Sequence, residues 1–229
     1  MEESVIAEQH IKSYVLRMGR FSVSQKRAYN SLSDKFLIPC QEQTVDLSAY
    51  FGNDRPVTLE IGFGMGAAAA ELASKNSEKN YLGIEVHKPG IGRLLWEIEK
   101  RSLSNIRIIE CDAAVAVKKM LSESSVEAAH IFFPDPWPKK RHHKRRLIKR
   151  PFLDELSRIL ITGGYLYMVT DWEDYGAWAL SELSAVPGLV NAYSGYAPRQ
   201  DWRPLTEFER KGMRQNHEIR ELYFLKNDR

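Results

Sequence analysis

The 229-residue chain is 43% hydrophobic and carries a net charge of +3 with a pI near 8.7, which is enough apolar content for a full core and too little net charge to identify a partner. Two cysteines, Cys40 and Cys111, are too few for a disulfide framework and have no metal-ligand spacing, which predicts inert core thiols in a reducing compartment. The opening MEESVIAEQH is acidic and mixed, unlike a secretory leader, and no apolar run nears the roughly 18 residues of a membrane helix, so a cytoplasmic protein with no membrane and no metal is expected.

From residue 57 onward, short β-rich apolar runs alternate with helix-period stretches, the pattern of a doubly wound α/β sheet. VTLEI (57–61), YLGIEV (81–86), IRIIECD (106–112), HIFFPD (130–135) and YLYMVTD (165–171) read as strands. Helices are expected near 66–75, 89–101, 113–121, 151–160 and 172–185; in the fourth, Phe152, Leu153, Leu156, Ile159 and Leu160 repeat at helical spacing, and Thr162, Gly163 and Gly164 supply its stop. A short strand near 191–196, a polar loop and a last, antiparallel strand EIRELYFLK (218–226) complete a Rossmann-like, mostly parallel sheet. No repeat or low-complexity linker divides the chain, so one domain is expected, with an N-terminal extension over 1–56 and the sheet-bearing core over 57–229.

Each of the first five strands carries an acid at or next to its end: Glu60, Glu85, Asp112, Asp135 and Asp171. The carboxyl ends of an open α/β sheet form its ligand crevice, so these acids converge on one rim. Gly62, Gly64 and Gly66 follow the first strand and open a helix, where glycines permit a tight turn and close approach of a ligand. Glu85, nineteen residues past Gly66, sits where a carboxylate accepts ribose hydroxyls. Asp112 can accept from an adenine amino group, cap the next helix, or do both. A dinucleotide and S-adenosyl-L-methionine both need such a loop and acid. The G-x-G-x-G spacing departs from the dinucleotide pattern and places Glu60 where a pyrophosphate would go, which favours the cationic sulfonium cofactor.

Pro134 and Pro136 stiffen the turn around Asp135 and set it beside Trp137, an arrangement suited to a flat heterocycle bonded at its edge and stacked on its face. Residues 139–150, KKRHHKRRLIKR, then hold eight Lys or Arg and two His with no acid. So dense a run repels itself unless an anion answers it, and nucleic-acid phosphate is the obvious partner.

LEIGFGMG (59–66), GIEVHKPGIG (83–92), FFPDPWPKKRHHKRR (132–146), VTDW (169–172) and TEFERKG (206–212) together resemble the bacterial tRNA (guanine-N7-)-methyltransferases, within the class I S-adenosylmethionine-dependent group. FFPDPW followed by a basic run is the most specific of these. YVLRMGR (14–20) also looks like that family's basic N-terminal element, with Arg17 and Arg20 matching. The resemblance implies methylation of the variable-loop guanine of tRNA, at position 46, to 7-methylguanosine. It implies cofactor contacts from Glu60, Glu85, Asp112 and Asp135 beside the glycines, with Asp135 catalytic. It further implies target contacts from Lys139, Asp171, Thr206, Glu207, Phe208 and Glu209. Arg141, His142, His143, Lys144, Arg145 and Arg146, with Arg17 and Arg20, are then expected on RNA, in a monomer or homodimer.

Two other readings compete. An NAD-dependent oxidoreductase shares the fold but leaves the cationic run unexplained and lacks an evident Tyr-x-x-x-Lys or His pairing. A non-catalytic RNA-binding module explains the run but leaves the glycine loop and five strand-end acids without a role.

Overall fold

The computed structural model describes residues 11–15, 19–215 and 217–228. Its sheet begins before residue 57. Helix α1 (Val23–Phe36) starts at a reciprocal cap, in which the Ser22 hydroxyl accepts from Gln25 N and the Gln25 side chain accepts from Ser22 N. It leads into strand β1 (Leu37–Ile38) and, after a loop, α2 (Leu47–Phe51), capped by Asp46. The core follows as β2 (Val57–Ile61), α3 (Ala67–Lys75), β3 (Asn80–Glu85), α4 (Lys88–Arg101), β4 (Ile106–Glu110), α5 (Ala113–Val115) running into a π-helical turn over Ala116–Met120, and β5 (Val126–Phe132). After the basic run come α6 (Phe152–Ile159), β6 (Leu160–Thr170), α7 (Glu173–Ser184), β7 (Leu189–Asn191), α8 (Glu207–Arg214) and β8 (Arg220–Lys226).

Among the described residues the strands lie in the order β1-β4-β3-β2-β5-β6-β8-β7, with every pairing parallel except those of β8, which is antiparallel to both neighbours. The chain winds outward from β2 through β3 to β4 and then crosses to β5 on the other side of β2. The crevice therefore opens where the loops after β2 and β5 face each other.

Alternation along the strands divides the core between the two faces. Tyr81, Ile106, Ile108 and Tyr167 pack with α1, α3 and α4, whereas Leu82, Ile84, Ile109 and Met168 pack with α6 and α7. On α4, Ile91, Leu94, Leu95 and Ile98 recur at helical spacing and are essentially fully buried, each contributing on the order of 1.5–3 kcal/mol.

Four expectations are corrected. HIFFPD does not stay a strand to Asp135: β5 ends at Phe132, and Phe133 takes a φ of 51°, which turns the chain out of the sheet. Gly163 and Gly164 do not end α6; β6 starts directly at Leu160, and the glycines sit in the irregular stretch where its pairing with β5 shifts. The expected strand near 191–196 is instead the shorter β7. Cys40 and Cys111 are not separate thiols but a disulfide with Cα atoms 5.6 Å apart. The cause is register: Leu37 pairs with Ile108 and Ile38 with Ile109, so the cysteines just beyond the paired residues come side by side. Among the described residues no helix is long and apolar enough to cross a membrane.

Candidate functional site

The loop after β2 is built around three left-handed glycines, with φ of 70°, 57° and 71° at Gly62, Gly64 and Gly66, a region that penalises any Cβ. A Cβ on Gly62 or Gly64 would meet nothing within 4 Å, so the loop presents bare backbone to open space. Its underside is fixed by β3. Gly62 N donates to Ile84 O at 2.8 Å, and Gly64 N donates to Glu85 Oε2 at 2.8 Å. Glu85 Oε1 accepts from Val86 N and His87 N at 2.7 and 3.0 Å, so this acid ties two loops together at the rim.

Glu60 precedes the loop in β2. It is 4% exposed, and its Oε2 has no hydrogen-bond partner within the protein. Burial, reinforced by the charge of Glu85, pushes its carboxyl up to about 8. Burial favours the neutral acid, and only a nearby cation would favour its charged form. Asp112, two residues past β4, accepts from Ala114 N at 2.8 Å and Val115 N at 3.4 Å and caps α5.

These groups border a cavity of about 210 Å³ whose wall includes Gly62, Glu85, Asp135, Phe133 and Phe208. The structure thus brings together the glycine loop, Glu85 and the acid of the PDPW turn. It also brings in Ser13 and Tyr14, which line the same cavity; Tyr14 opens the YVLRMGR element, but neither residue was named for the site, because that element was read for its arginines. Trp137 Nε1 donates to Ser13 O at 3.0 Å, and Arg145 lies 5.1 Å over the Trp137 ring. Trp137, read as a stacking surface for a heterocycle, is therefore engaged within the protein, fastening residues 11–15 to the turn.

The expected target-side residues part company. Phe208 is 62% exposed, stacks on Phe133 with centroids 6.3 Å apart and reaches the cavity. The Thr206 hydroxyl accepts from Glu209 N at 3.1 Å and caps α8, while Glu207 faces outward and pairs with Arg210. Asp171, just past β6, accepts from His217 Nδ1 at 3.2 Å under the close approach of α8. Glu209 is a correction. It is buried against Arg203, which reaches it with both terminal nitrogens at 2.5 and 2.7 Å and also bonds Glu221 at 2.8 Å. Burial works to raise the Glu209 carboxyl, but Arg203 outweighs it and holds the carboxyl below its ordinary value. Through Arg203 it ties α8 to β8.

The basic run forms a 3₁₀ helix over Lys140–Arg145, with Lys139 at its N-cap. Lys139, Arg141 and Lys144 are exposed, and His142, His143 and Arg145 are half-buried. Burial and the neighbouring cations Arg141, Arg145, Lys139 and Lys144 lower the His142 pKa. Arg146 is the second correction: it is 1% exposed and bonded to Asp174, so it is not available to phosphate. Arg20 is exposed, and Arg17 lies outside the described residues. Among the described residues no group of three or more His, Cys, Asp or Glu could hold a metal ion.

Residues 54–222 match the family described as a putative methyltransferase. A tRNA (guanine-N(7)-)-methyltransferase of Nitrosomonas eutropha is 51% identical over 216 residues, spanning 94% of this chain and 96% of that protein. One of Paraburkholderia xenovorans is 46% identical over 224 residues, spanning 98% and 86%. Among solved structures, the 16S rRNA methyltransferase KamB superposes with a TM-score of 0.59 at 16% identity over 81% of this chain and 95% of that one, a likeness of fold. With a glycine loop and acidic rim in the geometry of that fold, and half its residues shared with such relatives across nearly their whole length, the chain belongs to the tRNA (guanine-N(7)-)-methyltransferase family.

Proposed function

We propose that the protein methylates N7 of the variable-loop guanine of tRNA, at position 46, using S-adenosyl-L-methionine. The observation that carries this reading is the cleft in which the glycine loop, Glu85 and Asp135 meet, with Leu147, just past the basic 3₁₀ helix, on the same wall. The residues present fit the cofactor. Glu85 would take the ribose, Asp112 the adenine edge, and the open backbone of Gly62 and Gly64 the amino-acid portion. Glu60, near the end of β2 just ahead of them, would ionise in answer to a cation. When bound, the cofactor supplies an electrophilic methyl group, and guanine N7 meets it with an in-plane lone pair that needs no proton removed. Asp135 accepts from the donor edge of the guanine and stabilises the positive charge that grows on the purine. Phe208, with Asp171 and Thr206 behind it, borders the base, and Lys139, Arg141, His142, His143, Lys144, Arg145 and Arg20 face the phosphates. The test is to incubate the protein with methyl-labelled cofactor and bulk tRNA: label should appear in 7-methylguanosine, and label in any other nucleoside would reject the reading.

Glu60 makes cofactor binding proton-linked. With its carboxyl pushed up to about 8, Glu60 is mostly protonated at pH 7, and a bound cation draws it back to the charged form. Affinity should rise with pH, by up to about tenfold per unit, and level off above about 8. For the protein alone the sign is opposite. A raised carboxyl contributes stability that is present below its unfolded value and lost as pH climbs through about 8. Calorimetry in buffers of different ionisation heat should register proton release at pH 7, and Glu60→Gln should abolish it. Binding heats independent of the buffer would show that Glu60 does not face the cation.

Lys144 and Arg145 should set affinity more than chemistry. Each phosphate contact removed flattens the slope of log affinity against log salt by about 0.7–0.9, so the Lys144→Ala/Arg145→Ala pair should flatten it by roughly 1.4–1.8. Turnover at saturating tRNA should fall far less than kcat/KM, because both side chains bind substrate and transition state alike. Parallel salt lines for the wild type and the double variant would remove these residues from the interface.

A further inference from the structure

We infer that Arg146 is a positioning residue, one that keys the PDPW turn, and through it Asp135, to the start of α7. The inference rests on the reading of Asp135 as the group beside the reacting guanine. Arg146 closes the most cationic stretch of the chain, yet its side chain is 1% exposed. Its Nε donates to the Pro136 carbonyl at 3.1 Å, and one terminal nitrogen donates to Asp174 Oδ2 and lies 3.1 Å from His143 Nε2. The guanidinium lies 5.1 Å over the Tyr175 ring and 5.3 Å over Trp178, both on α7. Those rings are themselves fixed to the segment after the basic run, since Tyr175 Oη accepts from Ile148 N at 3.3 Å and Trp178 Nε1 donates to Ile148 O at 2.7 Å.

One planar fork thus joins three pieces: the turn carrying Asp135, the 3₁₀ helix carrying the phosphate-facing cations, and α7. The carbonyl it holds belongs to the residue following Asp135, between Pro136 with its fixed φ and Trp137 with a φ of 47°. With so little freedom in that stretch, holding the Pro136 carbonyl restricts the backbone on which Asp135 stands. Proline rings offer the turn no amide N–H to pin it from within, which is why an external donor is needed. A lysine could reach one of the acceptors but not span them in a plane. The basic run therefore divides by direction: Arg141, Lys144 and Arg145 face outward or lie along the surface, and Arg146 points into the fold.

The experiment compares Arg146→Ala and Arg146→Lys with the wild type in four measurements: kcat with both substrates saturating, tRNA affinity across a salt series, S-adenosyl-L-methionine affinity, and melting temperature. A misplaced Asp135 should lower kcat by about 10–100-fold. The salt slope and the cofactor affinity should stay at wild-type values, and lysine should restore only part of the loss. A slope flattened by about 0.7–0.9 with kcat retained would overturn the inference and return Arg146 to the phosphates. Wild-type values throughout would overturn it equally. If Arg146→Ala fails to fold, Asp174→Ala tests the same link from its 63% exposed partner: kcat should fall several-fold with no flattening of the salt slope, and an unchanged kcat counts against the inference. Asp135→Ala separates the two readings. Near-normal turnover there ends the assignment of Asp135, whereas an inactive Asp135→Ala beside a fully active Arg146→Ala ends only the positioning role.

Discussion

Asp135→Ala should lower kcat by about 10²–10³-fold at saturating cofactor and tRNA, the range seen when one preorganised electrostatic partner of a transition state is removed. Asp135 is exposed in the cavity wall three residues beyond β5, at the switch-point crevice where the loops after β2 and β5 face each other. Methyl transfer to N7 moves positive charge onto the purine, so a carboxylate on the donor edge binds the transition state better than the ground state, which is the condition for an effect on kcat. Affinity for tRNA should change little, since the contacts proposed for the phosphates lie on the 3₁₀ helix. Asp135→Asn keeps the shape and removes the charge. Substantial activity there would argue against a charge role, and near-normal kcat in the alanine variant would leave Asp135 as a turn residue.

Glu85→Ala should weaken S-adenosyl-L-methionine binding while leaving tRNA binding nearly intact. A carboxylate offers about four acceptor positions, and three are taken by Gly64 N, Val86 N and His87 N. One remains on Oε2 for a ribose hydroxyl, a charge-assisted bond contributing about 1.5–3 kcal/mol. Losing the Gly64 anchor loosens the loop as well, so affinity should fall by at least about tenfold. Titration calorimetry decides: cofactor affinity equal to wild type would reject the ribose assignment.

Much of this site was legible in the chain because its signals are local. The glycine loop, the acids at the ends of β2 and β3, and the proline-bracketed Asp135 are each carried within a few residues. The N-terminal elements were not read: Ser22-x-x-Gln25 and Asp46 are cap signals, but the long apolar runs that mark the central strands are missing there. Side-chain direction was not legible. Arg145 and Arg146 are adjacent and chemically alike, and only the tertiary partners of Arg146, the Pro136 carbonyl with Asp174, Tyr175 and Trp178 of α7, make it a buried strut while Arg145 lies over Trp137. Glu209 likewise reads as one more acid of TEFERKG until Arg203 and Glu221 enclose it. The cysteine pair depends on the register of β1 against β4, a tertiary fact that neither cysteine's own neighbours encode.

The central claim concerns a single atom, and a pair of tRNA transcripts tests it. One carries guanine at position 46 of the variable loop; the other carries 7-deazaguanine there, which keeps the pairing and donor edge but has carbon in place of N7. Incubated with the protein and methyl-labelled S-adenosyl-L-methionine, the first should take up label recovered as 7-methylguanosine, and the second should bind comparably and remain unlabelled. Equal labelling of both transcripts, or none of the first, would contradict the account.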